Sequence, residues 1–182
     1  MIERVTRQAR QIVVLAEREA RSLGSPVVGD EHFALAFVVQ LPVLFAPRGG
    51  PGPWFEAFPW PSPENARAIL RRDTHEALAT LGISLDDIEA RVESVFGASA
   101  WAESGELGRL AFSRDGRTAL GLAMRCALTL RRRQVIDIDI LAGVIETQGR
   151  GRRLLAELEV DVDELAERIG SRQPFVPGPD FR

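Results

Sequence analysis

The 182-residue sequence contains no lysine and no tyrosine, and all 23 of its basic residues are arginine. Without a side-chain amine there is no Walker-type phosphate loop, no Schiff-base nucleophile and no Ser-Lys dyad in these residues. Arginine, alanine, glycine and proline standing where lysine is missing is the composition of a GC-rich coding sequence. Cys126 is the single cysteine, so an intramolecular disulfide is excluded and a reducing compartment is expected. The longest apolar run, Phe33 to Val39, is far too short to span a bilayer. Charge of one sign is also lacking. The formal net charge is −3, which gives no global basic field for nucleic acid or acidic membranes. Residues 1–4 run straight into a charged amphipathic stretch with no leader-like apolar core, so a cytoplasmic location is expected.

What is present reads almost entirely as helix, and the predicted fold class is all-α. Ile12, Val13, Leu15, Ala16, Ala20 and Leu23 form one stripe at helical spacing over 7–23, with Thr6 as N-cap and Gly24 just past the end. Asp30 is expected to cap a buried helix from 31 to about 40. Ser62-Pro63 opens a helix that stops at Gly82, and Ser84 opens a short one ending near Gly97. Residues 97–108 are small and polar and read as a linker. Beyond it, Ser113 caps a helix to about 130, Asp137 one to about 147, a third spans 150–158, and Asp161 or Asp163 caps a fourth ending at Gly170. The proline-rich tail 171–182 is expected to be disordered.

The second half is a degenerate copy of the first. Nine of the 34 residues in 5–38 recur 107 positions later, among them Arg7/Arg114, Leu15/Leu122, Ala20/Ala127, Val28/Val135 and Asp30/Asp137. Residues 78–92 match 155–169 at a spacing of 77, so the first repeat carries about thirty additional residues. They lie at about 41–71, rich in proline and in Phe45, Trp54, Phe55, Phe58 and Trp60. Such proline density excludes a regular helix through most of the insertion. Its aromatics predict a cover for an apolar groove of their own domain, a docking surface of their own, or a plug that blocks a peptide groove. The expected organisation is repeat one at 1–96, linker at 97–108 and repeat two at 109–170. Together these make one eight-helix, pseudo-symmetric bundle.

The words of the two repeats resemble a known family. Ile2-Glu3-Arg4-Val5-Thr6-Arg7-Gln8-Ala9-Arg10, Val14-Leu15-Ala16-Glu17-Arg18-Glu19-Ala20-Arg21, Gly29-Asp30-Glu31-His32 and Leu81-Gly82-Ile83-Ser84-Leu85 are similar to the N-terminal (Clp repeat) domain of ClpC-type AAA+ unfoldases. The resemblance covers about 1–40 and 72–170, not the insertion or tail. It implies a non-enzymatic protein- and peptide-binding module of the kind that receives clients and adaptors for Clp-dependent proteolysis. The AAA+ modules are absent from these residues, so a stand-alone decoy or accessory adaptor of a Clp ATPase is expected. A monomer without cofactor, metal, nucleic acid or membrane partner is expected as well. The alternative is a regulatory scaffold that kept the fold, lost the peptide site and binds another partner through the insertion or an arginine patch.

The resemblance also implies sites. A phosphoarginine-type site would use Thr6 for phosphate and Glu31 for guanidinium, since a carboxylate matches a guanidinium fork. In repeat two Ser113 keeps the hydroxyl, but Ile138 and Ile136 replace the family's glutamate and glycine, so that site is expected to be lost. Asp30 stands where the family has threonine, an added negative charge that disfavours phosphate. A peptide groove, which in the family also takes cyclic-peptide inhibitors, is expected near Ile2, Val13, Phe112 and Leu120, although core packing accounts equally well for Val13 and Leu120. His32 reads as a capping or packing histidine, His75 as a surface residue and Cys126 as a small buried hydrophobe. Arg131-Arg132-Arg133 suits a helix C-terminus. Arg150, Arg152 and Arg153 add a second basic cluster.

Overall fold

The computed structural model describes residues 5–44, 61–82, 84, 87, 90, 91, 94 and 110–170. Seven helices and two short strands carry the architecture: α1 (Arg7–Ser22), β1 (Val27–Val28), α2 (Asp30–Leu44), α3 (Pro63–Thr80), β2 (Ala111–Phe112), α4 (Arg114–Thr129), α5 (Asp137–Thr147), α6 (Arg150–Glu157) and α7 (Val162–Gly170). The fold is all-α. Residues 87, 90, 91 and 94 are also helical, and Asp87 N–H donates to Ser84 Oγ at 3.2 Å. The rest of the expected Ser84 helix, the 97–108 linker and the 171–182 tail lie outside the described residues.

Local chemistry sets the boundaries. Thr6, Ser62 and Ser113 are N-caps whose hydroxyls accept from Ala9, Asn65 and Gly116 N–H, at 3.3, 3.1 and 3.0 Å. Asp161 caps α7, its Oδ1 accepting from Glu164 N–H at 2.8 Å. α1 ends with Gly24 at φ 67°, Ser25 N–H reaching Ala20 O and Gly24 N–H reaching Arg21 O.

Two expectations are corrected. Asp30 and Asp137 stand at the first helical position rather than at the cap. The backbone N–H groups one residue earlier are met instead from the third helical position: Gly29 N–H donates to His32 Nδ1 at 2.9 Å and Ile136 N–H to Asp139 Oδ2 at 3.0 Å. α2 also continues through Pro42 to Leu44, four residues beyond its expected end at 40. Pro42 lies in the last turn, where its missing N–H costs a single helical bond.

α2 is the central element, touching α1, α3, α4, α5 and α6. Phe33 to Val38 are buried without interruption, which is why this stretch has no polar face. α1 packs on α2 and α4 on α5, both with alanines at the contact: Ala9, Ala16 and Ala20 on α1, Ala119, Ala123 and Ala127 on α4. α3 is fastened to α1 by a two-pronged ion pair, Arg67 Nε and Nη2 on Glu19 Oε2 and Oε1 at 2.8 and 2.9 Å.

The two halves exchange strands. β1 pairs parallel with β2, Val28 opposite Phe112, and Val5 bridges to Val135 in the same sense. Each partner of one pairing lies 107 positions from a partner of the other. The hydrogen bonds follow: Ser113 N–H donates to Val28 O at 2.9 Å and Thr6 N–H to Val135 O at 3.0 Å.

Candidate functional site

The exchange builds two equivalent junctions, each a strand end running into a helix beside the first residues of the other repeat. Junction one holds Val28, Gly29, Asp30, Glu31 and His32 against Phe112 and Ser113. Junction two holds Val135, Ile136, Asp137, Ile138 and Asp139 against Val5 and Thr6.

In junction one the charges converge on the start of α6. Asp30 is 1% exposed. Its Oδ2 accepts from Gly151 N–H at 2.9 Å, so it serves α6 as a cap that Gly149 cannot supply. A Cβ at Gly149 would lie 2.3 Å from Asp30 Oδ2, and one at Gly151 2.6 Å from Asp30 O, which explains both glycines. Among the described residues Asp30 Oδ1 has no hydrogen-bond partner and is buried. Burial raises the Asp30 pKa to about 6 against the opposing Gly151 hydrogen bond, with neighbouring Glu31 adding to the rise. His32 is pushed down to about 4 by burial and by the Arg150 charge, so it is the neutral imidazole that accepts from Gly29. It is a capping residue.

Glu31 is partly buried. Its carboxylate folds back over Gly29, where a Cβ would lie 2.1 Å from Oε2, and its side chain is 13% accessible. Arg150 Nη1 lies 3.6 Å from Glu31 Oε1, and Arg150 Nη2 lies 3.4 Å from Asp73 Oδ2 on α3. A guanidinium is thus already at the carboxylate expected to read one. Sequence reasoning placed Arg150 only in a basic cluster and missed its contact with Glu31. Its signal was a cation at a helix N-terminus, where the helix dipole disfavours it unless acids stand nearby.

Junction two is built differently. Asp139 is fully buried and ion-paired to Arg132. Burial raises the pKa of Asp137, whose Oδ1 accepts from Ile138 N–H at 3.0 Å. Cys126 is half-buried, and burial and the Asp139 charge push its thiol up to about 11, far from a reactive thiolate.

The expected site residues are distributed as follows. Thr6 lies in junction two and Glu31 in junction one, and the hydroxyl at Glu31's own junction belongs to Ser113. Val13 and Leu120 are equivalents 107 apart, both half-buried against the core. Phe112 is half-buried and stacks on Phe33, ring centres 6.0 Å apart. Ile2 and the insertion aromatics Phe45, Trp54, Phe55, Phe58 and Trp60 lie outside the described residues. His75 is exposed on α3. Among the described residues no helix is long and apolar enough to cross a membrane. A separate cleft of about 590 Å³ lies between α3 and the α6–α7 turn, lined by Asn65, Ala68, Ile69, Glu157 and Leu158 among others, and none of the expected site residues that are described, Thr6, Val13, Glu31, Phe112 and Leu120, lines it.

A two-repeat helical fold with exchanged strands has solved counterparts. The N-terminal domain of the caseinolytic protease associated chaperone ClpD from Arabidopsis thaliana superposes with a TM-score of 0.59 at 18% identity, covering 93% of this chain and 94% of that one. The Hsp104 N-terminal domain from Candida albicans gives 0.51 at 17% identity, over 91% and 88%. This is the fold of a Clp N-terminal domain. Sequence relatives agree. The chain is 28% identical over 170 residues to a ClpA homologue, an ATP-dependent Clp protease ATP-binding subunit of Cyanidium caldarium, and 25% identical to that of Porphyra purpurea. Each match takes in 93% of this chain but only 16% and 17% of the relative, so the chain spans about a sixth of the length of the curated relatives it matches. No protein-family model matches the chain.

Proposed function

We propose that this Clp N-domain module binds polypeptide segments, namely clients or adaptors bound for a Clp ATPase, and does no chemistry of its own. The observation that supports the reading best is the Glu31–Arg150 contact: junction one holds a mostly covered carboxylate with the more exposed Arg150 guanidinium beside it. An arginine or phosphoarginine side chain from a client would displace Arg150 and take its place against Glu31, with Ser113 rather than Thr6 as the nearby hydroxyl. Under this reading the chain acts as a decoy or accessory adaptor in Clp-dependent proteolysis.

The same contact favours a second reading. If Arg150 closes the junction permanently, the chain is a scaffold that kept the fold and binds another partner elsewhere, by the insertion or the arginine-rich surface.

Anisotropy titration of a labelled phosphoarginine peptide separates the two. The first reading expects binding that Glu31→Ala abolishes and Arg150→Ala tightens severalfold, because removing the internal guanidinium frees the carboxylate. No binding to wild type or to Arg150→Ala leaves the scaffold.

A further inference from the structure

The positions shared by the two repeats are mostly explained by packing. Ala16/Ala123, Ala20/Ala127 and Val28/Val135 are buried, and Leu15 and Leu23 pack against the core. Arg10 and Arg117 each hold a carbonyl, Arg10 Nε on Val5 O at 3.2 Å and Arg117 Nη1 on Phe112 O at 2.8 Å. Two shared pairs have no such account. Arg7 and Arg18 on α1, and Arg114 and Arg125 on α4, are exposed, and among the described residues they have neither an ion pair nor a side-chain hydrogen bond.

These arginines line up. Arg7, Arg10, Val14 and Arg18 fall along one face of α1, and Arg114, Arg117, Gly121, Arg125 and Leu128 along the corresponding face of α4. Every exposed charged side chain of α1 is an arginine, and α4 has one exposed carboxylate, Asp115, beside its three arginines. Both helices are therefore positive in a chain of net charge −3. The faces are not purely charged. Among the described residues Val14 and Leu128, each 65% exposed, are two of the three most exposed large apolar side chains. Val14 lies one turn before Arg18 and Leu128 one turn after Arg125.

We propose that α1 and α4 each present a docking face for an acidic, amphipathic polypeptide segment, its carboxylates on the arginines and an apolar side chain over Val14 or Leu128. The charges suit carboxylates, because a weakly hydrated planar guanidinium binds them in two-pronged fashion. The apolar side chains in the same row disfavour a nucleic-acid backbone, which would set phosphates against Val14 and Leu128. Arg7 to Arg18 spans about 16 Å of helix, the reach of a short peptide rather than a whole domain. The proposal rests on the reading of this module as a protein binder and adds the chemistry of one class of partner.

The test is anisotropy of a fluorescein-labelled peptide made of Glu, Asp and Leu. Competitors are the same peptide with Ser for Leu and a single-stranded DNA oligonucleotide of equal charge. An unfolded reporter protein is measured in parallel. Expected are binding to wild type, a loss of about tenfold or more in R18E/R125E, and about threefold in V14S/L128S. The serine peptide should compete weakly. If R18E/R125E loses its circular dichroism signature, R7E/R114E replaces it. Unchanged affinity in the charge-reversed variant, or tighter binding of the oligonucleotide, overturns the proposal. Reporter binding without acidic-peptide binding rejects the two faces and leaves the protein-binding reading standing. Loss of both rejects the two together.

Discussion

Junction one and junction two share a backbone and differ in how they satisfy it. At the third helical position of α2, a neutral histidine accepts from the Gly29 N–H. At the same place in α5, an aspartate accepts from Ile136 N–H and is ion-paired to Arg132. Junction one keeps its carboxylates for the start of α6 and for Arg150, while junction two has Ile138 where Glu31 stands. At the junctions the difference separates scaffold from specialisation: the duplicated strand hydrogen bonds build the fold, and Glu31 and Arg150, found in one copy only, are the groups of the peptide site proposed above.

The largest expected effect tests how tightly each pair of helices closes. A Cβ at Gly143 would lie 2.1 Å from Ala119 O and 2.9 Å from Ala123 N, both backbone atoms of α4. The equivalent position in repeat one is Ala36, which is buried without difficulty. Gly143→Ala is therefore expected to destabilise by about 3 kcal/mol or more, and Ala36→Gly by only about 1 kcal/mol. Urea titration of both measures the asymmetry, and equal losses would show that the two crossings are equally close.

Next comes Arg132→Met, which strands the fully buried Asp139 carboxylate. A loss on the order of 3 kcal/mol is expected, read by urea titration. His32→Gln in junction one removes no ion pair and should cost less.

Asp30 and His32 set opposing pH dependences. The Asp30 pKa rises from 3.8 to about 6 on folding, so its contribution is full below about pH 4 and is lost as pH rises through 6. The His32 pKa falls from 6.5 to about 4, so its contribution is absent below 4 and full above 6.5. Each amounts to on the order of 2–3 kcal/mol and they nearly cancel. Asp30→Asn is expected to leave stability rising between pH 4 and 6.5, and His32→Gln to leave it falling between pH 4 and 6. Thermal melts across that range in both variants read the two slopes, and parallel curves would break the assignment.

The smallest effect concerns the ends of α1 and α4. Gly24 ends α1 at φ 67°, whereas Arg131 takes the same left-handed turn at φ 55° after α4. Arg131→Gly is expected to stabilise by about 0.5–1 kcal/mol, while Gly24→Ala loses about as much. A Tm that falls in Arg131→Gly would mean that the arginine side chain contributes more than its backbone costs.

Helices and caps were legible because serine, threonine and glycine announce them locally, as at Thr6, Ser62, Ser113 and Gly24. The strand exchange was not. Two-residue strands have no periodicity to read, and nothing local tells Val28 to seek Phe112 instead of Val5. The same blindness hid the candidate site. Glu31 was visible from its neighbours in sequence, but Arg150, itself held by Asp73, reaches it from a distant part of the chain, and Thr6 lies in the other junction. Asp30 looked like an ordinary cap because its actual use, on Gly151, is a tertiary contact.

The exchanged strands carry one more consequence. Thr6 N–H and Ser113 N–H each find their acceptor in the other half, so neither half completes its own junction. The arrangement is that of a twofold-symmetric dimer written into one polypeptide, in which each protomer lends its first residues to its mate. A single repeat released from the chain would have both an open strand and an open acceptor, and the natural way to close them is to find another copy of itself.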